Sequence, residues 1–324
     1  MPRIVRRLVL AAVSVLALGA TPASAAAAAT SDLPLHRGDF AGSFGISQGR
    51  SMFLECFGHG SPTVVLDAGL RNGGAIWAER TPETPAGPTV LQALARETRV
   101  CAYDRPGVII NFEPLEFSRS SPTFMPRSTA EAVYDLHRLL WNAKVPGPYV
   151  FVNHSTGGLI DRLYASTYPR EVAGMVLVDA LAEFIEGGKQ GLSPTQMDAY
   201  EAVNNNPIEG IDYPDIESFA FRQGFAQLRA EERKNPFPNV PLSVISHGKP
   251  FALPEGLPGG LTSEAVERAW TYSQDQLAKL TPGAVHIVAK RSSHYIQFTQ
   301  PQLVIDQVKR VVRVVRHQRG RMYY

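Results

Sequence analysis

The chain has 324 residues, 44% hydrophobic and 19% charged, with a formal net charge of +2. That is ordinary globular composition, enough to bury one large core. Arg3, Arg6 and Arg7 fall in an N-terminal leader that holds no acid, so its loss turns +2 into −1. A polyanion-binding role has no support in that balance, and nucleic acid is not an expected partner.

Residues 1–7 are basic, 8–20 are apolar, and 21–25 (TPASA) end in a small-x-small site. This is the pattern of a secretory signal peptide, predicted over residues 1–29, and it makes the chain extracytoplasmic. The apolar run is too short to span a bilayer comfortably, so no stable membrane span is expected. Arg6-Arg7 is a weak hint of twin-arginine export. Residues 30–48 read as a flexible mature start. In an exported chain the two cysteines, Cys56 and Cys101, suggest one disulfide, with a pair of buried thiols as the alternative.

Further along, residues 49–57 (GRSMFLECF) read as an edge strand entering the fold. Residues 62–66 (PTVVL) and 98–103 (TRVCAY) are continuous apolar runs, as in strands buried on both faces. Residues 128–143 place Ala132, Val133, Leu136, Leu139 and Leu140 on one helical face, and Ser128 with Glu131 forms a capping-box signature. A strand at 149–152, a helix at about 156–168 and a strand at 174–178 (GMVLV) follow. Two more strands, 241–246 (PLSVIS) and 284–289 (AVHIVA), precede a last helix at about 301–315. The alternation predicts an α/β fold, a mostly parallel sheet flanked by helices. Its core would comprise residues 49–180 and 241–324. Residues 181–240 carry no strand-like run and read as an inserted cap over the carboxyl ends of the strands, where open α/β sheets bind ligands. The basic run Lys309, Arg310, Arg313, Arg316, Arg319 and Arg321 reads as the solvated face of the last helix.

The chemistry centres on PYVFVNHSTGGLIDRL, residues 148–163. A serine hydroxyl needs a base to take its proton. A sharp strand-to-helix turn holds Ser155 Oγ clear of the sheet and aims the Thr156 amide at a developing oxyanion. Asn153 stands where such turns usually have a small residue. His294 has the placement of a base, late in the chain and after a strand. His247 is its rival, although a solvated loop position is the favoured reading there. His154 reads as shaping the pocket, together with Asn153 and Gly69. Asp179, closing the strand at 174–178, is the predicted acid, with Glu183, Glu186 and Glu255 as alternatives. The second oxyanion donor is predicted at the Leu70 amide, in the glycine-rich loop 67–74. No His/Cys/Asp cluster shows metal-ligand spacing, and neither metal nor cofactor is expected.

Taken together, PTVVLDAGL, TRVCAYDRPG, PYVFVNHSTGGL, GMVLVDA and SSHYIQFTQPQLV resemble the α/β-hydrolase superfamily over residues 49–315. The resemblance is to exported bacterial members with a CFGHGSPTVVLDAG-type opening. It implies an eight-stranded sheet with one antiparallel strand, a cap inserted after the sixth strand, and a Ser155–Asp179–His294 triad. It also makes the strands carrying Cys56 and Cys101 neighbours. The sequence departs from the family at Asn153, usually glycine. Asp104-Arg105-Pro106-Gly107 continues as Val108-Ile109-Ile110-Asn111, where a Gly-x-Gly-x-Ser run is usual. The absence of an acid just after residue 246 matches the subset that uses the preceding strand. The implied activity is that of a secreted serine hydrolase acting on a small-molecule carboxylic ester or related acyl bond. A peptidase, thioesterase, lactonase or acyltransferase with the same triad, and a non-catalytic binding protein on this fold, are the alternatives.

Overall fold

A computed structural model describes residues 36–321 except 113, 209, 210 and 212. The predicted leader, residues 1–29, lies outside the described residues. The main sheet has eight strands in the order β1-β2-β4-β3-β7-β8-β9-β10. They are β1 Phe40–Gly45, β2 Ser51–Phe57, β3 Thr63–Asp67, β4 Val100–Tyr103, β7 Tyr149–His154, β8 Val172–Val178, β9 Leu242–His247 and β10 Val285–Ala289. Strand β2 runs antiparallel to both neighbours, and the other pairings are parallel. This is the α/β-hydrolase fold that the sequence resemblance implies.

The central strands show no apolar–polar alternation because both faces are covered. Along β7, Val150 and Val152 face one hydrophobic cluster and Phe151 the other. Helices α1 (Val90–Ala95) and α8 (Pro301–Arg321) cover the first face, with Leu91, Leu94, Val304 and Val308 in that cluster. Helices α2 (Thr129–Asn142) and α3 (Thr156–Thr167) cover the second through Leu136, Leu139, Leu159 and Leu163. At the start of α2 the Ser128 side chain accepts from the Glu131 amide while the Glu131 side chain accepts from the Ser128 amide. That reciprocal cap satisfies two N–H groups the helix cannot.

Two expectations need correction. Residues 40–45, assigned to a flexible start, form β1, which pairs along its whole length with β2. FAGSFG is glycine-rich and weakly patterned, but its backbone completes the ladder and Phe40 and Phe44 pack against the core. Strand β2 is therefore internal rather than the sheet edge. In addition, β5 (Ile109–Phe112) and β6 (Leu115–Phe117) form a separate hairpin where the sequence departs from the family pattern.

Residues 181–240 contain α4 (Pro194–Asn205) and α5 (Phe221–Glu232). Helix α5 packs sideways on α3 and α2, whereas α4 reaches the cavity described below. Helix α6 (Ser263–Leu277) follows β9, and the short α7 (Ile296–Thr299) precedes α8. No helix among the described residues is long and apolar enough to cross a membrane.

Cys56 and Cys101 sit opposite each other on β2 and β4, their Cα atoms 4.1 Å apart, and form a disulfide. The bond closes a loop across a sequence separation of 45. Chain-entropy reasoning puts its contribution at up to about 4 kcal/mol. The Cys56→Ala/Cys101→Ala double variant is accordingly expected to lose roughly 2–4 kcal/mol in urea denaturation. An unchanged midpoint would show that the unfolded chain is already restrained by other means.

Candidate active site

Strand β7 passes into α3 through one residue, Ser155, whose backbone sits at φ 52°, ψ −120°. Positive φ is costly for a residue with a side chain and persists only where its surroundings enforce it. Here the Ser155 N–H donates to the Val178 carbonyl at 3.3 Å, and its own carbonyl accepts from Gly158 at 2.9 Å and Leu181 at 2.8 Å. The turn also requires close approach on two sides. A Cβ on Gly158 would lie 2.4 Å from the Ala180 Cβ, and one on Gly69 would lie 2.8 Å from His154 Nδ1 and 3.2 Å from the Ser155 Cβ.

Asp179 follows β8, also at positive φ, 46°. Its Oδ2 is 2.6 Å from His294 Nδ1, and its Oδ1 accepts from Trp270 Nε1 at 3.0 Å and the His247 amide at 3.1 Å. Burial alone would raise the Asp179 pKa. Hydrogen bonds from His247 and His294 outweigh it and hold the carboxyl below its usual range. The structure thus brings Asp179 and His294 together. The alternative acids are engaged elsewhere or remote: Glu183 pairs with Arg162, Glu186 with Arg222 and Arg229, and Glu255 is exposed.

Ser155 and His294 line one cavity with Gly69, Leu70, His154 and Thr156. Among the described residues no hydrogen bond joins the Ser155 hydroxyl to His294, a common condition of unliganded sites, in which such contacts tighten when substrate binds. With Nδ1 committed to Asp179, His294 has Nε2 left for that role. Thr156 is the first residue of α3, so its N–H has no intrahelical acceptor. Neither it nor the Leu70 N–H donates to any described residue. The Leu70 loop is braced from behind, because Arg105 Nη1 and Nη2 donate to the Ala68 and Gly69 carbonyls at 3.0 and 2.7 Å. The cavity walls are largely apolar: Val203 and Tyr200 from α4, Phe251, Leu253 and Leu261 from the segment before α6, Val266 and Trp270 within it, and Ile109 and Phe112 from the hairpin.

Two sequence assignments change. Asn153 does not line the cavity; it is fully buried beneath the turn, where its Nδ2 donates to Asp161 Oδ2 at 3.0 Å. Adjacent side chains on a strand point to opposite faces, so Asn153 and His154 part company. Burial, with Asp67 nearby, pushes the Asp161 carboxyl well above its usual range. His247 is not a solvated loop residue; it is the buried last residue of β9, with Nδ1 2.7 Å from Asp179 Oδ2. The strand runs one residue past its sequence-predicted end.

His154 lies against His294, ring centroids 4.5 Å apart, and its Nε2 donates to the His294 carbonyl at 3.0 Å. Burial, and then the neighbouring His294, pushes its pKa down to about 3, so it is neutral and packs the site. Asp179, His247 and His294 bring one potential ligand atom each within 4.8 Å of one another, a grouping the sequence spacing does not reveal. Both Nδ1 atoms lie within hydrogen-bond distance of the Asp179 carboxylate, at 2.7 and 2.6 Å from Oδ2.

Residues 57–307 match the alpha/beta hydrolase family, and the chain belongs to it. It is 26% identical over 228 residues to an uncharacterized Schizosaccharomyces pombe protein, covering 62% of this chain and 38% of that one, so it spans well under half of that relative. It is 24% identical over 278 residues to an AB hydrolase superfamily protein of Gibberella zeae, covering 70% of this chain and 82% of the relative. Among solved structures it resembles a Bacillus anthracis bromoperoxidase with TM-score 0.57 and 19% identity, covering 85% of this chain and 100% of that one. It also resembles the Bacillus subtilis carboxylesterase CesB with TM-score 0.51 and 17% identity, covering 86% and 92%. At those identities the structural likeness speaks to fold alone.

Proposed function

We propose that the chain is an exported serine hydrolase that cleaves carboxylic esters through an acyl-enzyme. The observation that carries this reading is the convergence of Ser155, on its strained turn, and the Asp179–His294 pair on one apolar cavity. Ser155 Oγ attacks the acyl carbonyl as His294 Nε2 takes its proton. Asp179 holds His294 in the tautomer that leaves Nε2 free and stabilises the imidazolium. The Leu70 and Thr156 amides receive the oxyanion. His294 then returns the proton to the departing alkoxide. Water repeats the sequence on the acyl-enzyme, so ester and water become acid and alcohol. The apolar walls favour uncharged hydrocarbon acyl groups. Export rests on the leader pattern and agrees with the disulfide.

A fluorophosphonate probe tests the proposal. Labelling of the folded chain at Ser155, absent from Ser155→Ala, is expected together with turnover of p-nitrophenyl esters that the variant lacks. The melting temperature of the variant should stay within a few degrees. Silence toward the probe under folding conditions would favour a non-catalytic binding protein.

A further inference from the structure

His247 has no place in the mechanism above, yet its surroundings are specific. Nδ1 lies 2.7 and 2.9 Å from the two Asp179 oxygens, and Nε2 lies 3.1 Å from Glu267 Oε2 on α6. An ionised carboxylate only accepts, so both ring nitrogens carry hydrogen and the ring is an imidazolium. Burial opposes that charge, but hydrogen bonds to the two carboxylates outweigh it and push the His247 pKa up to about 10. Asp179 Oδ2 therefore serves two imidazoles at once, His247 at 2.7 Å and His294 at 2.6 Å.

We propose that His247, backed by Glu267, is a positioning residue for the Asp179–His294 pair: a second, cationic imidazole that fixes the carboxylate and draws off part of its charge. The assignment rests on the hydrolase reading for its effect on rate. Facing only one imidazole, Asp179 would present its full charge to His294 and hold a proton there more tightly. Sharing that charge lets the base stand free at lower pH. Among the described residues, His154 from β7, Tyr200 from α4 and Tyr295 beside His294 also face this group. His154 is kept neutral by burial, and burial pushes both tyrosine hydroxyls up. The local field near neutrality thus comes from Asp179, His247 and Glu267.

The test uses the full chain and the variants His247→Asn and His247→Ala. Asn keeps a donor for Asp179 without the charge, whereas Ala keeps neither. In His247→Asn the acid limb of kcat/KM for p-nitrophenyl butyrate is expected to move up by roughly one pH unit. Its alkaline plateau should stay near wild type, while His247→Ala loses roughly tenfold there, the worth of one hydrogen bond to a charged group. An acid limb unmoved in His247→Asn, or identical plateaus in the two variants, would overturn the proposal. A second measurement stands apart from catalysis. A proton held up to about pH 10 when folded, but released near 6.5 by an unfolded imidazole, stabilises fully below the lower value and is lost on the way to the higher. The stability advantage of wild type over His247→Asn should therefore shrink between pH 7 and 10. If the wild-type chain neither labels at Ser155 nor hydrolyses esters, the hydrolase reading fails by itself. A shrinking difference then still upholds the cationic His247, and a constant one overturns it.

Discussion

Asp179→Asn is expected to lower kcat for p-nitrophenyl esters roughly ten-thousandfold while leaving the chain folded. The amide is nearly the same size as the carboxylate and its oxygen can still accept from the Trp270 indole and the His247 amide, which lie 3.0 and 3.1 Å from Oδ1. What it cannot do is accept at both of its termini. With that oxygen engaged, its NH2 group faces His294 Nδ1 and His247 Nδ1, both of which donate to Oδ2 in the wild type. His294 then turns to the tautomer with the proton on Nε2, which is no base for Ser155. His247 loses one of its two carboxylates, so the variant should also give up about 1–3 kcal/mol of stability. Steady-state kinetics and urea denaturation on the same preparation separate the two effects. A kcat within tenfold of wild type in a folded variant would remove Asp179 from the role of acid.

How much of this site was legible in the sequence depended on how local each contact is. The strand, turn and helix around Ser155 lie within 148–163, so periodicity and the Gly157-Gly158 pair sufficed to point there. Asp179 and His294 could be placed because each follows a strand whose apolar run is plain. His247 has the same placement, but the partners that bury it come from elsewhere: Asp179 from β8 and Glu267 from α6. Neither α6 nor Trp270 was read from the sequence, so nothing at 247 distinguished a buried imidazolium from a loop histidine. The face that Asn153 takes is set by its partner Asp161, which lies a turn into the helix and leaves no mark on the local pattern. Strand β1 is hard to read for a different reason: its core-facing Phe40 and Phe44 are separated by Gly42, and its order comes largely from backbone pairing with β2.

The largest stability effect is expected at Arg105, in the Asp104-Arg105-Pro106-Gly107 segment. Its guanidinium is almost wholly buried and pairs with Asp67, with Glu217 through Nε at 2.6 Å and Nη2 at 3.0 Å, and with the Ala68 and Gly69 carbonyls. Glu217 lies between β8 and β9 and also accepts from the Arg71 amide at 2.6 Å. One planar cation therefore ties that connection to the loop that presents the Leu70 amide. Arg105→Ala strands two buried carboxylates and two carbonyls, and leaving a buried charge uncompensated costs about 3–5 kcal/mol. Arg105→Lys should recover only part of this, because an ammonium is a compact donor that cannot match the flat five-donor fork. Where the Lys variant folds, its kcat should fall more than its KM rises, since a loosened Leu70 loop weakens the oxyanion contact made in the transition state. Urea midpoints for both variants, with ester kinetics on the Lys form, check the ordering. An Ala variant that melted within about two degrees of wild type would mean that water or rearranged side chains satisfy the cluster, and that the loop holds its shape without this cation.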